Sequence, residues 1–158
     1  MLLYLDQNYL SGMVKRKPAF RELEPVLRAA VARGAVAVPE SPAHRLESAA
    51  RPDLPILDLL RDLSGGLRLP DEPGPVERQC EALLRDGVRR YFPRRQARDS
   101  DAVDLRALAV ALPRCRLLTC DAFMADAIAR VGLQTRFACE LYAGRRADVH
   151  RLRERLSP

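Results

Sequence analysis

Short apolar runs alternate with longer segments of helical periodicity along this chain, and this alternation is the strongest constraint on its fold. The runs are LLYL at 2–5, AVAV at 35–38, RLLT at 116–119 and TRFA at 135–138. Each run fits a strand buried on both faces, which is typical of parallel sheets covered by helices. Because helical segments separate the runs, we predict parallel βαβ units with right-handed crossovers.

The helical segments are bounded by residues that commonly begin or end helices. Pro25 is expected to interrupt or start a helix within 18–33, and Ser41 and Ser100 are expected N-caps. Gly65 and Gly132 are expected to follow helix ends. The predicted helical ranges are 8–16, 18–33, 54–63, 76–91, 101–112, 122–131 and 144 onward, with a further helix through His44, Leu46 and Glu47.

The chain of 158 residues is predicted to be one domain, with boundaries 1–158. Its net charge of +6 suits a polyanionic partner, although 25 of its 27 basic residues are Arg, which also fits a general composition bias. No run approaches the ~18 apolar residues of a membrane span, and MLLYLDQNYL lacks a basic leader. These features predict a cytoplasmic protein with no membrane partner.

The four cysteines, Cys80, Cys115, Cys120 and Cys139, contain no CxxC pair. Only two histidines are present to complete a zinc site, so zinc is not expected. We interpret these cysteines as small buried hydrophobic residues.

Acidic residues fall where parallel sheets bind ligands. Asp6 and Asp121 each follow a predicted strand directly, and the carboxyl ends of parallel strands meet at one edge of a sheet. Asp101 and Asp104 lie three residues apart near the start of a helix and therefore share a face. Glu47 lies on the helix that follows the second run. Each acid also has a structural interpretation: Asp6 and Asp121 as turn formers, Asp101 as a helix-dipole partner, and Glu47 as a solvated residue.

Grouped carboxylates are hard oxygen ligands that suit Mg²⁺ or Mn²⁺. Such ions can activate a water molecule and stabilise charge during in-line attack on a phosphodiester. This chemistry requires no histidine base, which fits a chain that contains only His44 and His150. The predicted cofactor is therefore Mg²⁺ or Mn²⁺.

Three segments resemble the PIN-domain family of metal-dependent ribonucleases: YLDQN at 4–8, VPESPAHRLES at 38–48 and DAVDLRALAVALPRCRLLTCDAF at 101–123. The resemblance implies a three-layer α/β/α fold with a central, mostly parallel sheet of four to five strands. It implies that the acids are Asp6, Glu47, either Asp101 or Asp104, and Asp121.

The resemblance also implies an activity: cleavage of single-stranded RNA that leaves a 5′-phosphate. Asn8 and Thr119 would assist in positioning metal or phosphate. Many bacterial members of the family are toxins held in check by an antitoxin, often as homodimers, so RNA, an antitoxin protein and a second copy are the implied partners.

Arginines are concentrated between positions 85 and 98, where we counted only Asp86 as an opposing acid. Tyr91 and Phe92 lie among them and would stack on bases. A solvated helix face with inward aromatic residues is the structural alternative. The expected RNA-binding residues are Arg89, Arg90, Arg94 and Arg95, in a cluster that also contains Arg85 and Arg98.

Two other enzyme classes fit the sequence less well. A phosphatase with an Asp6 nucleophile would usually carry a second Asp at the position of Asn8. A phospho-acceptor domain would need a lysine at the end of a late strand, and Lys15 and Lys17 lie elsewhere. The remaining alternative is a PIN-like domain with an incomplete metal site that binds RNA or a protein without cleaving.

Overall fold

The structure of this protein is a computed structural model that describes residues 1–49 and 52–158. Within those residues it has three strands and nine helices. In chain order they are β1 (Leu3–Tyr4), α1 (Gln7–Val14), α2 (Pro18–Ala32), α3 (Pro42–Ala49), α4 (Ile56–Ser64), α5 (Pro75–Tyr91), α6 (Asp99–Ala111), β2 (Leu117–Thr119), α7 (Ala122–Val131), α8 (Leu133–Arg136), β3 (Glu140–Tyr142) and α9 (Arg146–Leu156).

The strands form a parallel sheet in the order β1-β2-β3. Leu3 pairs with Leu117 and Thr119 pairs with Tyr142, so the carboxyl ends of all three strands lie at one edge. The prediction of a parallel α/β architecture is confirmed. The expected sheet of four to five strands is not: three strands are present in residues 1–49 and 52–158.

The predicted strand at 35–38 is reduced to one parallel bridge between Leu2 and Ala37. The Leu3 N–H donates to the Ala37 carbonyl, and the Ala37 N–H donates to the Met1 carbonyl, both at 2.9 Å. Pro39 follows and has no N–H to continue a ladder, which explains why pairing stops after one bridge. A second parallel bridge joins Glu40 to Arg68.

The prediction of a strand at 135–138 is wrong. Residues Leu133–Arg136 form α8, and the strand is β3, at Glu140–Tyr142. Gly132 adopts a left-handed conformation that ends α7, after which the chain makes one more helical turn. Ala138, with φ 51°, then redirects the backbone into β3. The β-branched and aromatic residues of TRFA suggested a strand, but the local turn chemistry decides the conformation.

Hydrophobic cores cover both faces of the sheet. Successive residues of a strand point to opposite faces, and Leu3 and Leu117 belong to one core while Tyr4 and Leu118 belong to the other. Helices α1, α2, α4 and α9 contribute to the first core, and α5, α6 and α7 contribute to the second. The prediction for the cysteines is confirmed, because all four are buried in the second core.

Two expected helix boundaries are corrected. Pro25 does not break α2, which begins with Pro18 at its first turn and continues to Ala32. The fully buried Leu23 and Leu27 offset the roughly 3 kcal/mol cost of an internal proline. Ser100 is not the N-cap of α6, because that helix already begins at Asp99.

No helix in residues 1–49 and 52–158 has the length and apolarity that crossing a membrane requires.

Candidate functional site

Four of the predicted acids line one cavity at the carboxyl edge of the sheet. The cavity has a volume of about 640 Å³. Asp6 follows β1, Glu47 lies on α3, Asp104 lies on α6 and Asp121 follows β2. These residues are far apart in the sequence, and the parallel sheet brings them together.

Asp6 is held in place by backbone and side-chain contacts at the start of α1. Its carboxylate is the N-cap of that helix and accepts a hydrogen bond from the Asn8 N–H at 3.3 Å. Its own N–H donates to the Thr119 hydroxyl at 2.6 Å. Burial, followed by repulsion from Asp104 and Asp121, raises the pKa of Asp6 to about 6, although the Asn8 N–H opposes this shift.

Asp121 repeats this arrangement on the neighbouring strand. It follows β2 and is the N-cap of α7, and its carboxylate accepts a hydrogen bond from the Met124 N–H at 2.7 Å. Because β1 and β2 are adjacent and parallel, the same strand–Asp–helix construction places both carboxylates at one edge. In both Asp6 and Asp121 the capping hydrogen bond uses one carboxylate oxygen, and the other oxygen is available to the cavity.

Glu47 and Asp104 are hydrogen-bonded to each other across the cavity between α3 and α6. Two carboxyl groups can share such a bond only if one is protonated. Burial, with repulsion from Asp6 and Asp104, raises the pKa of Glu47 to about 8. Burial also raises the pKa of Asp104. Because burial raises the pKa of both groups, the pair retains one shared proton more readily than two isolated carboxyl groups would.

Asp101 has a different role from the other predicted acids. It does not line the cavity; its carboxylate accepts hydrogen bonds from both terminal nitrogens of Arg95 and from the Arg98 N–H. The Arg95 guanidinium lowers the pKa of Asp101. Of the two candidates for the third acid, Asp104 lines the cavity, and Asp101 holds the start of α6 instead.

Thr119 and Asn8 have separate roles. The Thr119 side chain is fully buried and does not line the cavity, so any assistance to metal or phosphate would be indirect. Its hydroxyl donates to the Tyr4 carbonyl at 3.2 Å and accepts from the Asp6 N–H, so it joins the ends of β1 and β2 and positions Asp6. Asn8 is exposed and lines the cavity, as expected.

His44 is a structural residue beside the site. It is fully buried, stacks on Tyr4 with ring centroids 5.3 Å apart, and its Nδ1 accepts from the Ser41 N–H at 3.0 Å. Its Nε2 therefore carries the proton and donates to the Leu5 carbonyl at 2.7 Å. Burial lowers the pKa of His44. The neutral ring fixes α3, which carries Glu47, to the end of β1.

Three further polar residues line the cavity: Gln7, Arg98 and Ser100. Arg98 was expected in the arginine cluster and Ser100 as an N-cap, but neither was expected beside the acids, and Gln7 was not singled out. Gln7 donates from Nε2 to the Ser48 hydroxyl at 3.3 Å, while its buried Oε1 has no hydrogen-bond partner in the described part of the chain. The one indication in the sequence that Gln7 would line the site is that it directly follows Asp6. Nothing in the sequence predicted which residues of the 92–100 connector would face the acids.

The arginine cluster is less free than expected. Arg85 pairs with Glu81, Arg89 with Asp86 at 3.6 Å, and Arg95 with Asp101, so two acids from outside 85–98 also oppose the cluster. Arg90 lies over the Tyr91 ring, with its guanidinium carbon 5.5 Å from the centroid. Arg94 is exposed, and Phe92 packs edge-on against Phe123 with ring centroids 5.0 Å apart.

The cavity contains side chains of the kind that bind hard cations, but their arrangement in the ranges that the structure describes does not form a metal site. The four carboxyl groups and the unpartnered Gln7 oxygen are the oxygen donors that Mg²⁺ and Mn²⁺ accept. As positioned here, no group of three or more His, Cys, Asp or Glu within residues 1–49 and 52–158 is arranged to hold a metal ion. The Glu47–Asp104 hydrogen bond directs two of the donors toward each other instead.

Comparison with known proteins finds no family model, curated protein or solved structure that matches this chain.

Proposed function

We propose that this protein is a Mg²⁺- or Mn²⁺-dependent endoribonuclease that hydrolyses phosphodiester bonds of single-stranded RNA. The observation that carries the proposal is the convergence of Asp6, Glu47, Asp104 and Asp121 on one cavity at the carboxyl edge of a parallel sheet. Buried like charges are destabilising unless a cation offsets them, so such a cluster is explained best by cation binding.

The chain's residues have separate tasks in this proposal. A bound cation supplies charge stabilisation and an activated water molecule for attack on phosphorus. Asp6 and Asp121 are preorganised as ligands because each is fixed as a helix N-cap. Glu47 and Asp104 become ligands when they release the shared proton. The unpartnered Gln7 oxygen supplies a neutral donor.

The order of the paired segments supports a PIN-like arrangement as the finer assignment, with three strands and two isolated bridges in residues 1–49 and 52–158 in place of the expected four to five strands. The bridges place residue 68 beside residue 40, and residue 37 beside β1, on the edge of the sheet opposite β2. The order of the paired segments across the sheet is therefore residue 68, residues 37–40, β1, β2 and β3. Hydrophobic cores on both faces of the sheet support the three-layer arrangement.

The partners and the location remain proposals. We propose RNA contacts at the exposed Arg89, Arg90 and Arg94, which do not line the cavity. An antitoxin protein and a homodimer follow from the family resemblance alone, and a cytoplasmic location is proposed from the sequence pattern alone.

The competing proposal is a PIN-like domain that binds RNA or protein without catalysis. The hydrogen-bonded Glu47–Asp104 pair favours it, because two donors bonded to each other do not yet form a metal site. The two proposals differ in one measurable property. In the nuclease a divalent metal must break the Glu47–Asp104 hydrogen bond, whereas in the binding module the metal has no effect on that bond.

A cleavage assay on a labelled single-stranded RNA, with Mg²⁺, Mn²⁺ or EDTA, tests the proposal. We expect cleavage with either metal, none in EDTA, and loss of cleavage in Asp6→Asn, while circular dichroism shows that this variant is folded. Asp126→Asn is the matched control because Asp126 is an exposed acid on α7, paired with Arg130 at 3.0 Å. Equal cleavage by Asp6→Asn and Asp126→Asn would reject the nuclease assignment.

A further inference from the structure

Arg98 occupies a position at the cavity that the proposed chemistry leaves unexplained. It lines the cavity together with Ser100 and the acids, and it is the one basic residue to do so in the part of the chain that the structure describes. It is exposed and therefore accessible to an incoming strand. A phosphate that enters a cavity lined by carboxylates experiences repulsion, which a cationic side chain at the same wall would offset.

We propose that Arg98 binds a phosphate of the RNA strand at the carboxylate cavity, and that Asp101, clamped by Arg95, is the positioning residue that fixes Arg98 there. The inference rests on the proposed function and deepens it by assigning the group that recognises the substrate's charge. Arginine suits this task because its planar guanidinium matches the geometry of phosphate oxygens.

One carboxylate holds both arginines. Asp101 accepts from the Arg98 backbone N–H at 2.9 Å and from both terminal nitrogens of Arg95. The side chains of Arg95 and Asp101 are only 21% and 14% exposed, so this pair is shielded from solvent and its hydrogen bonds are stronger than those of a surface pair. This contact fixes the backbone of Arg98, which is the N-cap of α6, relative to Asp101 in the first turn of that helix.

Aromatic packing attaches the Arg95–Asp101 pair to the site. The Arg95 guanidinium lies over the Phe123 ring, 3.6 Å from its centroid, and Phe92 packs edge-on against the same ring. Phe123 is two residues after Asp121 on α7. The connector between α5 and α6 is therefore attached to the element that carries one cavity acid and, through Asp101, to the helix that carries Asp104. A shift of the connector would move Arg98 relative to both acids.

The direct test compares Arg98→Ala, Arg98→Lys and Arg21→Ala in RNA cleavage and in Mn²⁺ binding. Arg21 is the matched control because it is exposed on α2, which packs against the first core. We expect Arg98→Ala to lower kcat/KM by about tenfold or more, the effect of losing one charge-assisted phosphate contact. Arg98→Lys should recover part of the loss, and Mn²⁺ affinity should not fall in any of the three variants, because removing a positive charge beside the acids cannot weaken cation binding. Cleavage by Arg98→Ala at the level of Arg21→Ala would overturn the inference while the nuclease proposal stands.

If the wild-type protein does not cleave RNA, the nuclease proposal fails, and the inference is still decided by binding. Fluorescence anisotropy of a labelled single-stranded RNA in Mn²⁺ should then show about tenfold weaker binding by Arg98→Ala than by Arg21→Ala. Equal binding by the two variants would refute the role of Arg98.

A double-mutant cycle tests the positioning role of Asp101. Asp101→Asn should lower kcat/KM, or RNA affinity if there is no cleavage, in the wild-type background but have little further effect in Arg98→Ala. Its effect on thermal stability should be the same in both backgrounds. Equal functional losses in the two backgrounds would show that Asp101 has only a structural role.

Discussion

Replacing Asp6 with asparagine is expected to stabilise the metal-free protein while it removes the proposed activity. Asparagine has nearly the shape of aspartate, and its side-chain oxygen can still accept the hydrogen bond from the Asn8 N–H. What the substitution removes is a buried negative charge that faces Asp104 and Asp121. If Asp6 serves the proposed cation site, it is expected to destabilise the fold in the absence of the cation.

The magnitude follows from the pKa of Asp6, which burial raises from 3.8 to about 6. The folded state therefore binds the proton more tightly than the unfolded state, and the free energy of unfolding falls as pH rises through this window. At pH 7.5 the full shift corresponds to about 3 kcal/mol. Because Asp6 is partly exposed and solvent screens its charge, we expect a measured gain of about 1–2 kcal/mol, or roughly 3–6 °C in Tm.

Urea unfolding in EDTA, followed by circular dichroism, measures this gain for Asp6→Asn and for the control Asp126→Asn. The gain of Asp6→Asn should be about half as large at pH 5, where the folded wild type is already mostly protonated at Asp6. Asp126→Asn should change stability by less than about 0.5 kcal/mol at either pH. An Asp6→Asn variant that is less stable than wild type at pH 7.5, or that shows a gain independent of pH, would refute the reasoning.

Three further predictions concern the surroundings of the site. Thr119→Val should destabilise the protein by about 1–2 kcal/mol in urea unfolding and reduce cleavage, because the hydroxyl that joins Asp6 to the Tyr4 carbonyl is lost. His44→Ala should lower stability by about 2–4 kcal/mol at pH 7.5, and this loss should shrink as pH falls below about 6.5, because the ring stays neutral in the fold but takes up a proton in the unfolded wild type. A loss that grows toward acidic pH would argue for a charged ring. Gly12→Ala should destabilise by about 1–3 kcal/mol, since its Cβ would lie 2.6 Å from the Phe20 ring, and an unchanged Tm would contradict this packing.

The sequence predicted those parts of the fold that local pattern determines. Apolar runs identified β1 and β2, and left-handed glycines ended α4 and α7 where expected, at Gly65 and Gly132. The pattern failed where pairing partners or turns decide the outcome. The AVAV run is as apolar as β1, but Pro39 limits it to one bridge, and TRFA lies in a helical turn despite its composition.

The positions of the acids were predictable because of the parallel sheet. A carboxylate directly after each of two parallel strands has to lie at the same edge, which places Asp6 and Asp121 without knowledge of the rest. Asp101 and Asp104 could not be separated by spacing, because the distinction depends on Arg95, a residue in an irregular connector. The Gln7 amide was missed because an uncharged side chain gives no signal in composition or charge.

The most direct test of the account is the position of Mn²⁺ in crystals of the protein, located by anomalous scattering. We predict a peak within the cavity, bound by carboxylate oxygens of Asp6 and Asp121, with the Glu47–Asp104 hydrogen bond broken. The same experiment on Asp6→Asn should show a weaker peak or none. A saturating concentration of Mn²⁺ that leaves the cavity empty and the Glu47–Asp104 pair intact would contradict the central claim.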